Sequence, residues 1–160
     1  MKTFFHGTNA EAAASILKDG VDIDHPRKKD PGDFGQGFYL TTMLIRAKVN
    51  GHSILEVDVD TSKFAFIPNP YQPIIGTEAG FLFKSLAFTS KDEMLTCAHC
   101  FRNEERKAAC VKIRKTFMDR GFQGIMTKHH GDETVVFDLA AIKSISFWIT
   151  KTRKLTIRIF

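Results

Sequence analysis

The chain has 160 residues, of which 43% are hydrophobic, and a formal net charge of +5, as in one soluble globular domain. It lacks both the ~20 consecutive apolar residues of a membrane span and the apolar run of a signal peptide. Its three cysteines, an odd number, favour a reducing compartment. We therefore predict a single domain over residues 1–160, monomeric, away from membranes, in the cytoplasm of the producing cell or of a target cell. The basic excess favours polyanionic partners such as dinucleotides, nucleic acids or acidic proteins.

The N-terminal stretch predicts a strand and then a helix. The strand covers Thr3 to Thr8, and Asn9 offers a side-chain oxygen that can cap a helix. Gly20 is a typical helix stop. Between them the apolar residues recur at helical spacing: Ala13, Ile16 and Leu17.

A polar stretch rich in Gly, Pro and Asp follows, from Val21 to Gly37, and predicts a long loop of the kind that often carries function. Phe38–Leu40 predicts a strand, and Met43–Val49 a short helix. His52–Asp60 alternates apolar and acidic residues as a half-buried strand does.

In the second half, we expect Phe64–Ile67 to extend the preceding strand and Pro68–Gly80 to form a loop. Asn103–Arg120 predicts the clearest helix, since apolar residues recur at every fourth position. Four strands are predicted after it: Phe122–Thr127, Glu133–Phe137, Ser144–Ile149 and Leu155–Phe160. This order predicts an α+β domain with a split, mostly antiparallel sheet and flanking helices.

Three segments stand out from this pattern: Phe5-His6-Gly7-Thr8, Gly35-Gln36-Gly37-Phe38-Tyr39-Leu40-Thr41-Thr42 and Glu133-Thr134-Val135-Val136-Phe137-Asp138. Each is weak evidence alone. A histidine after a strand is usually structural, Gly-x-Gly-aromatic is usually a turn, and a glutamate that opens a strand is usually solvated. Their order and spacing along one chain give them weight.

Together the three segments resemble the ADP-ribosyltransferases of the His-Tyr-Glu class, which include diphtheria toxin and the poly(ADP-ribose) polymerases. The stretch Gly121-Phe122-Gln123-Gly124-Ile125 resembles the strand before the catalytic glutamate in many small bacterial and phage transferases. The resemblance covers roughly Phe4–Leu40 and Gly121–Ile145 and implies the family's split antiparallel sheet. The middle, Phe64–Arg120, has no match.

The resemblance implies a catalytic set of Glu133, His6 and Tyr39. Glu133 would bind the ribose 2′-hydroxyl of NAD+ and stabilise the positive charge that develops on the sugar, and it could help to deprotonate the acceptor. His6 would hold the adenosine ribose. Tyr39 would stack on the cationic nicotinamide ring through its ring face, so that its hydroxyl matters less.

NAD+ is thus the implied co-substrate, and no metal is expected. The residues that would bind it are His6, Gly7, Thr8, Phe38 and Tyr39, with the main chain of Gly7 against the carboxamide, where only glycine allows so close an approach.

The chain departs from the family pattern on the helix after the tyrosine strand. Family members usually carry a serine and a second tyrosine there, and the matching positions here are Ala47 and Asn50. The second wall of the nicotinamide pocket must come from elsewhere, and the candidates are Phe38, Phe81, Phe83 and Phe88.

The sequence therefore predicts an NAD+-dependent mono-ADP-ribosyltransferase, of toxin or effector type, that modifies a protein or a nucleic acid. One alternative is an NAD+-using RNA 2′-phosphotransferase, which relies on basic residues rather than on a glutamate such as Glu133. Another is a non-catalytic module that binds NAD or ADP-ribose, although degenerate copies usually lose one of His6, Tyr39 and Glu133.

Three weaker signals have simpler interpretations. Cys97 and Cys100 form a single C-x-x-C which, with Cys110 and His52, could be imagined as a zinc site, but a lone pair on a helix is more often packing. Basic residues form two groups: Arg106, Lys107, Lys112, Arg114 and Lys115, and then Lys151, Arg153, Lys154 and Arg158. They predict either solvated faces or a track for an acidic or nucleic-acid acceptor. His129 and His130 precede Glu133 in a loop, where they are solvated or contact the acceptor.

Overall fold

The computed structural model describes residues 1–24, 32–68, 77–89, 103–128 and 132–148. In chain order its strands and helices are β1 (Lys2–Thr8), α1 (Ala10–Asp19), β2 (Phe38–Thr41), α2 (Leu44–Asn50), β3 (Ser53–Val59), β4 (Phe64–Ile67), α3 (Glu78–Ala87), α4 (Asn103–Asp119), β5 (Gly124–Thr127), β6 (Glu133–Val136) and β7 (Ile142–Phe147). The strand expected over Leu155–Phe160 lies outside the described residues.

The strands form one seven-stranded sheet in the order β4-β5-β6-β2-β1-β3-β7. Each pair of neighbours is antiparallel except β4 and β5, which are parallel. The predicted α+β class and the mostly antiparallel sheet are thereby confirmed.

The sheet is split between β1 and β2. β1 pairs with β3 along its whole length, from Lys2 to Thr8, and β2 pairs with β6 from Phe38 to Thr41. Between β1 and β2, however, the register contains the single pair Phe5↔Thr41. Two well-bonded half-sheets therefore meet at one residue pair and separate beyond it, which confirms the predicted split.

The expectation that Phe64–Ile67 extends β3 is wrong. A turn intervenes, in which the Asp60 carboxylate accepts from the Ser62 N–H at 3.0 Å and Phe64 N–H donates to the Thr61 carbonyl at 3.1 Å. The chain then crosses to the far edge of the sheet, where β4 pairs with β5. Parallel pairing with a distant strand cannot be read from local alternation.

The predicted loop Pro68–Gly80 is also too long, because α3 begins at Glu78. The Thr77 side chain caps that helix by accepting from Gly80 N–H at 3.1 Å. A threonine directly after Gly76 is the sequence signal that marks this start.

Each face of the sheet has its own apolar core, because successive strand residues point to opposite faces. One core lies under α3 and α4 and includes Phe34, Phe83, Phe117, Phe137 and Val135. The other lies under α1 and includes Phe4, Phe38, Leu40, Val57 and Val136. Phenylalanine side chains thus pack in both cores. The two faces of the sheet at the split therefore have different surroundings.

Across the described ranges, no helix has the length and apolarity that a membrane crossing requires.

Asp138 stabilises the segment that connects β6 to β7 through two hydrogen bonds. Its carboxylate accepts from the Ala140 N–H at 3.0 Å and from the Gln123 side-chain amide at 2.8 Å. These two bonds, in that order, lower the pKa of Asp138 below the ordinary value of 3.8. The stabilisation is therefore present in full above pH 3.8 and is lost as the pH falls through the lower folded-state pKa.

We expect Asp138→Ala to reduce the free energy of unfolding by about 1–2 kcal/mol at neutral pH, since two donors lose their acceptor. Urea unfolding should show this difference shrinking well below pH 3.8. Asp119→Ala, which removes an exposed carboxylate paired with Lys115, is the control and should cost less than about 1 kcal/mol. A difference that stays constant across this pH range would contradict the assignment.

Candidate active site

The three segments singled out in the sequence lie on adjacent strands. His6 is on β1, Tyr39 on β2 and Glu133 on β6, and these strands are neighbours in the order β6-β2-β1. Residues that are far apart in the chain are therefore brought together at the split.

His6 bridges the split where the two half-sheets separate. Its Nδ1 lies 2.8 Å from the Tyr39 main-chain oxygen. Because a carbonyl can only accept, this bond assigns the proton to Nδ1 and fixes the ring. The imidazole also packs on Phe38, with the ring centroids 4.5 Å apart. The side chain is half-buried, so it holds the strands together and still faces solvent.

Glu133 and His6 lie on opposite faces of the sheet. The register pairs Phe5 with Thr41 and Thr41 with Glu133, and directly paired residues share a face. Tyr39, two residues from Thr41 on the same strand, shares this face as well. His6 follows Phe5 and so points to the other face, with Phe38. A ligand that touches both His6 and Glu133 would have to reach both faces of the sheet.

The start of β6 holds Glu133 in place. Asp132 adopts a left-handed backbone conformation, with φ of 57°, and its carboxylate accepts from the Thr42 hydroxyl at 3.1 Å. This bond ties the turn before Glu133 to the end of β2. Glu133 itself is half-buried beside Thr41, which is 9% exposed, so the carboxylate sits at the edge of the apolar interior.

Tyr39 uses its hydroxyl as well as its ring. The oxygen accepts from the Phe34 N–H at 2.9 Å and donates to the Gly35 carbonyl at 2.7 Å. Gly32, with φ of 84°, lies so close that a Cβ there would be 2.3 Å from the Tyr39 ring. Tyr39 therefore anchors the loop before β2, a role that the sequence did not indicate.

Gly7 is required by packing against α2. A Cβ on Gly7 would lie 1.7 Å from the Ala47 carbonyl oxygen, and Ala47 is fully buried. The absence of a side chain on Gly7 thus lets α2 lie directly on β1. Ala47 is thereby fixed as a packing residue of α2.

A cavity of about 810 Å³ is lined by His6 together with residues of α1 and α4, a size typical of small-molecule sites. Its lining includes His6, Gly7, Thr8 and Phe38, four of the five residues predicted to bind NAD+. Tyr39 and Glu133 are not among its lining residues.

The walls of this cavity come from two helices. α1 contributes Glu11, Ala12, Ser15 and Ile16, and α4 contributes Lys107, Cys110 and Val111. Both sets follow helical spacing and so present one face of each helix. Helix α4 belongs to the stretch that matched no family pattern, so sequence reasoning missed this half of the site.

Helix α4 also fixes the glycine-rich loop before β2. The Cys110 thiol donates to the Gly32 carbonyl at 3.1 Å, and Gln36 N–H donates to the Cys110 carbonyl at 3.2 Å. Arg114 forms an ion pair with Asp24. Cys110 is fully buried, so these contacts join α4 to the loop inside the protein.

The four phenylalanines that were candidates for the second wall of the nicotinamide pocket lie in different environments. Phe38 lines the cavity beside His6, whereas Phe83 is fully buried against Phe34, with ring centroids 5.7 Å apart. Phe88 is half-buried on the same core, and Phe81 is 63% exposed on α3.

The first basic group is largely engaged within the protein. Arg106 is buried, Lys107 pairs with Glu104 at 3.2 Å and Lys115 pairs with Asp119 at 2.7 Å. With Arg114 also paired to Asp24, few of these charges are left for an external polyanion. The second basic group, the C-x-x-C pair, His129 and His130 lie outside the described residues.

A comparison with known protein families finds no family model that matches the chain, and a comparison with curated proteins finds no match either.

We expect Tyr39→Phe to lower the free energy of unfolding by about 1–3 kcal/mol, because the Phe34 N–H then has no acceptor in a buried position. Urea unfolding measures this loss. Thr3→Val removes an exposed hydroxyl that donates to Asp58 at 2.7 Å and should cost less. If Tyr39→Phe were no more damaging than Thr3→Val, the anchoring role would be wrong.

Proposed function

We propose that this protein is an NAD+-dependent mono-ADP-ribosyltransferase. The observation that supports the proposal is that β1, β2 and β6, the strands that hold His6, Tyr39 and Glu133, are adjacent in the sheet. The split and the cavity beside His6 add room for a ligand.

The placement of the two polar side chains suits an elongated substrate. The adenosine half of NAD+ would occupy the cavity beside His6, Thr8 and Phe38. The nicotinamide ribose would reach the Glu133 face through the split. Such an arrangement holds the two ends of a dinucleotide on separate, preformed surfaces, so less ordering is needed at the moment of reaction.

In the reaction, the bond between the ribose C1′ and the nicotinamide nitrogen breaks, and nicotinamide leaves with the bonding electrons as a neutral molecule. The Glu133 carboxylate stabilises the positive charge on the sugar. A nucleophilic atom of the acceptor then bonds to C1′, and its proton passes to Glu133 or to solvent.

A protein acceptor is favoured over a nucleic acid. Most basic side chains on α4 that could contact phosphates are buried or paired with carboxylates. A nucleic-acid acceptor would require a continuous cationic surface.

The test is release of nicotinamide from NAD+ by Glu133→Gln. We expect kcat to fall about a hundredfold or more, because one preorganised charge is removed from the transition state, while NAD+ binding changes little. Glu56→Gln is the matched control, since Glu56 is also a half-buried strand glutamate, and it should retain activity.

Two results would contradict the proposal. One is wild-type protein that releases no nicotinamide and transfers no label from NAD+ to protein or nucleic acid in a lysate. The other is Glu133→Gln with unchanged kcat. An equal loss in Glu56→Gln would attribute the effect to destabilisation instead of catalysis.

A further inference from the structure

The walls of the cavity beside His6 are unequal in charge. Glu11 on α1 and Asp22 and Asp24 in the following turn supply carboxylates, whereas Lys107 on α4 supplies the ammonium group among the described lining residues. The α1 side is therefore acidic, and this is unexpected for a cavity that would only bind phosphate groups.

The partners of these charged groups distinguish Glu11 from the other two carboxylates. Asp24 is neutralised by Arg114, and one oxygen of Asp22 accepts from the Asp24 N–H at 3.0 Å. Lys107 is paired with Glu104 at 3.2 Å. Within the described residues, no ion pair is found for Glu11. Its exposed carboxylate therefore lines the cavity without an ion-pair partner among these residues.

Glu11 is also close in the chain to the floor of the cavity. Thr8 ends β1, Asn9 caps α1, and Glu11 lies in the first turn of that helix. Glu11 thus lines the same end of the cavity as Thr8, on the strand that carries His6. An uncompensated carboxylate beside an imidazole and a hydroxyl suits a sugar diol, because a carboxylate can accept two O–H bonds at once.

We propose, resting on the proposed function, that Glu11 accepts hydrogen bonds from the adenosine ribose hydroxyls and excludes a 2′-phosphate, so that the site selects NAD+ over NADP+. The same physical logic operates where an acidic residue recognises a ribose 2′-hydroxyl in dinucleotide-binding folds and a cation accommodates the 2′-phosphate. A 2′-phosphate next to Glu11 would meet like charge, which opposes its binding.

The experiment uses the full chain and two probes that need no chemistry, adenosine and adenosine 2′-monophosphate, with binding measured by calorimetry. Wild-type protein is expected to bind adenosine about tenfold or more tightly than the 2′-phosphate. Glu11→Gln should reduce that ratio to near one, and Glu11→Arg should reverse it. Glu105→Gln and Glu105→Arg are the controls, because Glu105 is exposed in the first turn of α4 and does not line the cavity. Both should keep the wild-type ratio.

Three results would overturn the inference: wild-type protein that does not bind adenosine, wild-type protein that binds both probes equally, or Glu11 variants that keep the wild-type ratio. The circular dichroism of each variant shows whether it is folded, and Glu11→Gln keeps the test open if Glu11→Arg does not fold. Nicotinamide release is read separately. Selectivity without any release would retain Glu11 as a nucleoside ligand and reject the transfer reaction.

Discussion

The bond between His6 and the Tyr39 carbonyl is the contact on which the proposed site depends. At 2.8 Å it joins two strands that otherwise share one residue pair, Phe5 with Thr41. A continuous ladder here would close the sheet and leave no passage between its faces. No join at all would let the half-sheets drift apart. The His6 side chain thus links the two strands beside the end of their pairing.

Other contacts stabilise the strands and the loop on either side of the split. Gly7 lets α2 pack on β1 without a Cβ in the way, and Tyr39 ties the loop of residues 32–37 to β2. Helix α4 holds the same loop from the other side through Cys110. Each of these residues stiffens one edge of the split, so the positions of His6 and Glu133 follow from packing on both faces of the sheet.

Much of this could be predicted from the sequence where the signals are local. Asn9 and Gly20 bound α1 as expected, and the alternation of residues 53–59 gave a strand. The β4 strand was misread because its partner, β5, is distant in the chain and parallel to it. The contribution of α4 to the cavity was missed for a related reason. The spacing of its apolar residues predicted a helix, but that spacing does not show that Lys107 and Val111 line a cavity.

The location of the charges likewise required the structure. A basic cluster in the sequence suggested a phosphate track, yet Arg106 is buried and Arg114 is paired with Asp24. Conversely, Glu11 lies in the first turn of α1, and only the fold shows that it lines a cavity. The local electrostatic field depends on ion pairs between side chains that are distant in the chain. Such pairs produce no periodic pattern in the sequence.

If NAD+ binds as proposed, it lies through the split with its two ends on opposite faces of the sheet. The most direct test is a crystal structure of the protein with a non-cleavable NAD+ analogue. In that structure we expect the adenosine end in the cavity beside His6 and the nicotinamide end on the face of Tyr39 and Glu133. A dinucleotide bound wholly on one face, or away from β1, β2 and β6, would contradict this binding mode.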